Sequence, residues 1–235
     1  MSKSSPGAPW KTYLGRPESD SVRCRAMCFL ANGLNSTDRT DEALVAYEVC
    51  LATARRHKLW ERFGEAHSNV SSIYLQLGRH EEALAMQRRS WEINKGNVLE
   101  APEYVFGIAL SLARVLFDSC RYAEAKTFCQ EQIPIAQGAL GGEHPNTLRL
   151  KHAYAMCLQY CHKAAVENDD VAPSDSLLED HVEATRILEE LTPIARRVFG
   201  PHHHSAALFE RELLRARRRV NHHSGEADWN LDPGA

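Results

Sequence analysis

The sequence has no apolar run near the 18 or so residues that a membrane span requires, so no membrane-spanning role is expected. Its first residues, MSKSSPGAPWKTYLGRPESD, lack the apolar stretch of a secretory signal. Charge of one sign is not in excess either: the net charge is −3, which argues against a nucleic-acid coat and against a membrane-surface protein. The expected location is therefore cytoplasmic. The seven cysteines are odd in number, and the tightest spacings are four residues, Cys24 with Cys28 and Cys157 with Cys161. A secreted disulfide framework would have an even set, so all seven are expected as reduced, small core residues.

The motifs of the common catalytic sites are missing as well. RHEEAL begins like a zinc-protease helix, but the second histidine would fall on Leu84. There is no Gly-x-Ser-x-Gly elbow and no phosphate-binding Gly-x-x-x-x-Gly-Lys-Ser/Thr loop. GALGG at 138–142 has glycines but no lysine, and suits a helix–helix linker. The histidines His202 to His204 lie consecutively, and neighbours on one loop do not place three imidazoles around one ion. A redox centre would want Cys-x-x-Cys, which the chain lacks. No catalytic residue, cofactor or metal site is expected.

What is present is a sequence that can bury a core, with 43 % hydrophobic and 25 % charged residues. The stretch GRHEEALAMQRRSWEI, residues 78–93, has small and apolar residues at three- and four-residue steps, the period of a helix. It also recurs. The Glu-Ala step returns around Ala43, Ala83, Ala125 and Ala184, at spacings of 40, 42 and 59 residues, the last being a standard period with an insertion. Twelve residues before each of the first three alanines lies another small residue, Ala31, Ser71 or Ala113. An apolar residue precedes each (Leu30, Val70, Leu112), and Leu34, Tyr74 or Leu116 follows three positions later. Ala155, Tyr154 and Leu158 fill these roles in the fourth copy. Small residues at fixed places on two antiparallel helices let the axes approach to about 8–10 Å.

This pattern resembles the tetratricopeptide repeat. The linkers ALGGEHPNTLRL and RVFGPHHHSAAL resemble those of its 42-residue, kinesin-light-chain-like variant, although in the second His203 and His204 replace the usual proline-and-acid step. The resemblance covers about residues 20–220. It implies an all-α fold, a right-handed superhelix (solenoid) of four antiparallel helix pairs followed by a C-terminal capping helix.

The expected organisation is a disordered tail over 1–19, a repeat domain over 20–221 and a disordered tail over 222–235. Residues 163–181, with six acids against one lysine, form an acidic insertion at the turn of the fourth repeat, with a loop near 166–175 and a helix starting at Ser174 or Ser176. The capping helix is expected over about 205–221, with Arg215, Arg217, Arg218 and Arg219 giving the array its polar outer face.

The resemblance also implies a function: non-enzymatic binding of a peptide or protein partner in a concave groove lined by the first helix of each pair. By the same resemblance the candidate groove residues are Arg25 and Asn32 with Phe29; Asn69, Ser72 and Gln76 with Ser68; Arg114 with Ser111; and His152 and Gln159 with Met156. Asn69 and Arg114 are expected to act together, an amide on the peptide backbone and a guanidinium on an acidic side chain. The alternative is a regulatory or sensor array that binds a small ligand or self-associates.

Overall fold

The computed structural model describes residues 20–57, 60–167 and 174–224, and these form nine α-helices with no strand among the described residues. They are α1 Asp20–Asn35, α2 Thr40–His57, α3 Trp60–Gln76, α4 His80–Asn94, α5 Pro102–Asp118, α6 Tyr122–Leu140, α7 Pro145–Glu167, α8 Ser174–Phe199 and α9 His204–Ser224. The fold class is the all-α helical repeat. The chain divides into two compact units, one with α1–α4 up to Gly96 and one with α5–α9 from Asn97.

Each of the first three repeats turns between its helices in a way that the sequence prescribes. A residue in the left-handed region ends the first helix: Asp38 (φ 57°), Gly78 (φ 70°) and Cys120 (φ 58°). The residue after it is always arginine. Its N–H reaches back to the first helix, from Arg39 to Leu34 O at 3.0 Å, from Arg79 to Tyr74 O at 2.8 Å and from Arg121 to Leu116 O at 2.9 Å. This return bond closes the end of a helix by engaging one of its last carbonyls. The same arginines open the second helix and pair with the glutamate three residues on, Glu42 (2.5 Å), Glu82 (2.9 Å) and Glu124 (2.8 Å). A Glu in the first turn also suits the helix dipole.

The seams between paired helices are made by the small residues. Ala31, Ser71, Ala113 and Ala155 on the first helices, and Ala43, Ala83, Ala125 and Ala184 on the second, are each at most 1 % exposed. Larger residues fill the space beside them. In the first unit Met27, Tyr47, Val70 and Ile73 do so; in the second, Leu148, Leu158, Leu188 and Phe209. Two second helices carry a proline nine residues after the marker alanine, Pro134 in α6 and Pro193 in α8. Both prolines are exposed, and the alanines two positions on, Ala136 and Ala195, are fully buried. The missing N–H thus falls on the solvent side, where it costs the packing nothing.

The two later linkers share one device. Gly141 and Gly200 both take φ 96°, and three residues on a histidine caps the next helix. His144 Nδ1 accepts from Asn146 N–H at 3.2 Å, and His203 Nδ1 from Ser205 N–H at 3.0 Å. The expected reading of the second linker needs correction here: His203 is the equivalent of His144, and it is His202 and His204 that stand at the acid and proline positions.

Two helix ends differ from expectation, while α8 starts at Ser174 as expected. Helix α9 starts at His204 and runs through Ser224, past the expected boundary at 221, because no breaker precedes Gly225. Helix α7 reaches Glu167 and α8 starts at Ser174, while the middle of the expected acidic loop, 168–173, lies outside the described residues, as do the tails 1–19 and 225–235. Arg215, Arg217 and Arg218 are exposed and give α9 its expected polar face, and three of the four arginines expected there also make contacts. Arg217 pairs with Glu189 of α8 at 2.7 Å, Arg215 with the buried Glu212 of its own helix at 2.8 Å, and Arg219 lies over the Tyr160 ring at 4.7 Å; Arg218 is exposed.

Candidate functional site

A helix that packs through its seam residue presents other positions outward. Counting from Ala31, Ser71, Ala113 and Ala155, the residues one place after are Asn32, Ser72, Arg114 and Met156. Those two places before are Phe29, Asn69, Ser111 and Ala153. These lie on one side of the first helices because such steps return to a similar angle on a helix.

In the first unit this side is open and mostly polar, with Phe29 its most exposed apolar residue. Phe29 is 69 % exposed, Arg25, Asn32 and Gln76 are exposed, and Asn69 and Ser72 are half-buried. The structure brings two of the expected residues together: Asn69 Nδ2 donates to Asn32 Oδ1 at 3.5 Å, from α3 to α1. The Tyr47 hydroxyl, rising from α2, donates to the same oxygen. Tyr47 itself is 2 % exposed, so its ring is fixed in the core and its hydroxyl fixes the Asn32 side chain.

In the second unit Arg114 is exposed on α5, and Ser111 bonds its own helix at Gly107 O, 3.1 Å away. The two fourth-repeat candidates need correction. His152 stacks on Phe209 of α9, with ring centroids 4.3 Å apart and planes at 3°. Gln159 is 4 % exposed, and its Oε1 accepts from Arg219 at 2.6 Å. Both side chains therefore hold α9. Relative to Ala155 they stand one residue out of step with Phe29, Asn32 and Gln76, and one residue turns a helix by about 100°. The in-step residues are Arg149, Ala153, Met156 and Tyr160. Of these, Met156 is already among the candidates from the sequence, and aligning the fourth copy strictly on Ala155 gives the other three.

His152 has a consequence of its own. Its Nε2 is buried without a hydrogen-bond partner, and desolvation lowers its pKa to about 4. The imidazole is neutral at physiological pH and acts as a flat packing surface.

The chemistry of the other ionisable groups is that of packing. Thiol–thiol contact and burial push the Cys50 and Cys157 thiols far above the ordinary range, which makes them poor nucleophiles. All seven cysteines are free; Cys120 is exposed and Cys161 half-buried, so these two are not the core residues expected. A cleft of about 240 Å³ lies among α6, α7 and α8, lined by Lys151, Tyr154, Arg186 and Ile187 among others. Its Arg186 is spanned by Glu183 at 2.8 Å and Glu190 at 2.6 Å, so the arginine charge is answered from within. No group of three or more histidine, cysteine or acidic side chains is placed to hold a metal ion among the described residues. No helix there is long and apolar enough to cross a membrane.

Two segments match family models, both described as tetratricopeptide repeat: residues 66–95, in α3 and α4, and residues 104–167, from α5 through α7. These two segments are tetratricopeptide repeats. No curated protein matches this repeat protein by sequence. Solved structures match its fold. A substituted form of a Podosopora anserina putative kinesin light chain with nearly identical TPR-like repeats is 19 % identical, with a TM-score of 0.65, covering 90 % of this chain and 95 % of that one. The form of that protein without the substitution is 18 % identical with a TM-score of 0.63 and the same coverage. BtubC (BKLC) from P. vanneervenii is 16 % identical, with a TM-score of 0.51, covering 97 % of this chain and 90 % of that one. The chain is thus kinesin-light-chain-like in fold. Repeats of this kind are generally protein-interaction modules.

Proposed function

We propose that this repeat protein is a non-enzymatic adaptor that holds an extended segment of a protein partner along the open side of α1 and α3. The observation that carries this reading is the Asn32–Asn69 pair, two amides from successive first helices meeting over the buried Tyr47 hydroxyl. An extended peptide offers a donor and an acceptor at every residue, and an amide side chain supplies both in return. Phe29, 69 % exposed three residues before Asn32, gives an apolar side chain a place to pack. Arg25, one further turn back, offers a charged donor to a carboxylate. The place of action on this reading is the cytoplasm.

Selection of phage-displayed random peptides on the whole protein tests the reading. Selected peptides should lose roughly tenfold or more in affinity on Asn69→Ala and Asn32→Ala, since a hydrogen bond of this kind is worth about 1–1.5 kcal/mol and each amide makes more than one. Peptides that bind both variants as well as the native protein would place the binding surface elsewhere.

A further inference from the structure

Three of the seven thiols meet in the seam between α1 and α2. Cys24 and Cys28 stand one turn apart on α1, and Cys50 faces them from α2; all are at most 3 % exposed. Cys28 Sγ and Cys50 Sγ are 3.1 Å apart. Cys24 Sγ donates to Cys50 O at 3.6 Å, and Cys50 Sγ to Cys24 O at 3.5 Å. The two sulfurs are inside the roughly 3.5–4.0 Å at which nonbonded heavy atoms rest. Packing of the repeat does not require sulfur at these places. At the positions equivalent to Cys24 and Cys28 the third and fourth repeats carry Phe106 and Leu148, then Leu110 and His152. At the position of Cys50 the other repeats carry Ser90, Gln132 and Leu191. The cluster belongs to the first repeat alone.

We propose that Cys28 and Cys50 are a site of reversible disulfide formation that staples α1 to α2 when the protein meets an oxidant of the peroxide class. The Cys28 sulfur, as thiolate, attacks one peroxide oxygen; the S–O bond forms, the O–O bond breaks, and the leaving oxygen departs as water. The Cys50 sulfur then attacks the sulfenic sulfur; the S–S bond forms, the S–O bond breaks, and the second oxygen leaves as water with the remaining proton. Two thiols lose two electrons and one peroxide becomes two waters. The sulfurs close from 3.1 Å to about 2.05 Å, a movement within the reach of side-chain rotation. Both sulfurs are buried, so peroxide reaches Cys28 only on local opening of α1, and the raised pKa of Cys50 keeps that thiol protonated until then. Arg25, Phe29 and Asn32 ride on that same helix, and the staple fixes the helix that presents them.

The test uses the whole protein carrying Cys120→Ser, which removes the exposed thiol. It is treated with hydrogen peroxide, alkylated, digested and mapped. The expected result is a linked peptide joining Cys28 to Cys50 with the loss of two hydrogens, and a melting temperature raised by roughly 5–10 °C, the scale of a disulfide closing a loop of this size. A thiol reductant should reverse both. Cys24→Ala should keep the link, and Cys28→Ala, checked for native helix content, should lose both the link and the shift. The proposal fails if no linked peptide forms under conditions that fully oxidise Cys120 in the native protein. It fails equally if Cys24 rather than Cys28 is joined to Cys50, or if Cys28→Ala shows the same rise in melting temperature.

Discussion

Ser71 Oγ donates a hydrogen bond of 2.8 Å to the carbonyl oxygen of Ala83, joining the seam residues of α3 and α4 directly. The contact is possible only because Ala83 has no side chain beyond Cβ and both residues are at most 1 % exposed. Ala83→Trp should therefore destabilise the protein by about 3 kcal/mol or more, at or above the upper end of overpacking costs. Ser71→Ala should cost about 1 kcal/mol, since the Ala83 carbonyl keeps its place in the helix ladder. Chemical denaturation of the two variants checks the order; equal midpoints for both would show that the seam is not tight.

The turn residues predict effects of opposite sign. Cys120 holds φ 58° where the second repeat uses Gly78 at φ 70°. The left-handed region costs a residue with a Cβ about 1–2 kcal/mol, from which glycine's greater chain entropy takes back up to about 1 kcal/mol. Cys120→Gly should stabilise by roughly 0.5–1 kcal/mol, and Gly78→Ala should destabilise by a similar amount. Paired melting curves read both, and a Cys120→Gly variant that melts below the native protein would contradict the turn assignment.

His152 predicts a pH dependence. Its folded pKa of about 4 lies below the ordinary 6.5 of the unfolded chain, so folding favours the neutral ring. Well above pH 6.5 the group contributes no pH dependence. As pH falls from 6.5 towards 4 the unfolded chain takes up a proton that the folded one refuses, and stability drops by up to about 2–3 kcal/mol. His152→Phe should remove that part of the slope while keeping the stack on Phe209. Unfolding free energies of native and variant between about pH 4 and 7 give the difference; parallel curves would mean that His152 is solvated.

Helix α9 depends on contacts that looked, in sequence, like solvent-facing charge. Arg219 serves the buried Gln159 and covers Tyr160. Arg219→Ala leaves that amide without its donor, at a cost of about 1–3 kcal/mol. Hydrogen exchange in α9 should quicken first, before exchange in α5 and α6. Unchanged exchange would show that the outer arginines are dispensable.

The seam was legible in the sequence because it is set by a local and strict rule. Two helices can approach closely only where both are small, so small residues at fixed spacing identified the helix pairs. The outward side was less legible, since polarity there is free to vary and only register locates it. In the first unit the chosen register brings Asn32 and Asn69 together. In the fourth repeat it slipped by one, and His152 and Gln159 proved to be supports for α9. The role of Arg219 was hidden for a different reason: a charge next to another helix looks like a charge in water until its partner is seen.

The central claim is that partners lie along the open side of α1 and α3. Site-specific photo-crosslinking in cells tests it most directly, with a benzophenone side chain placed at Phe29 or Gln76 on that side, and at Val45 or Arg89 on the second helices as controls. All four positions are exposed. The account predicts discrete protein adducts from Phe29 and Gln76 that disappear in the Asn32→Ala, Asn69→Ala background, with none from Val45 and Arg89. Adducts from Val45 or Arg89 alone, or adducts from Phe29 that survive loss of both asparagines, would contradict it.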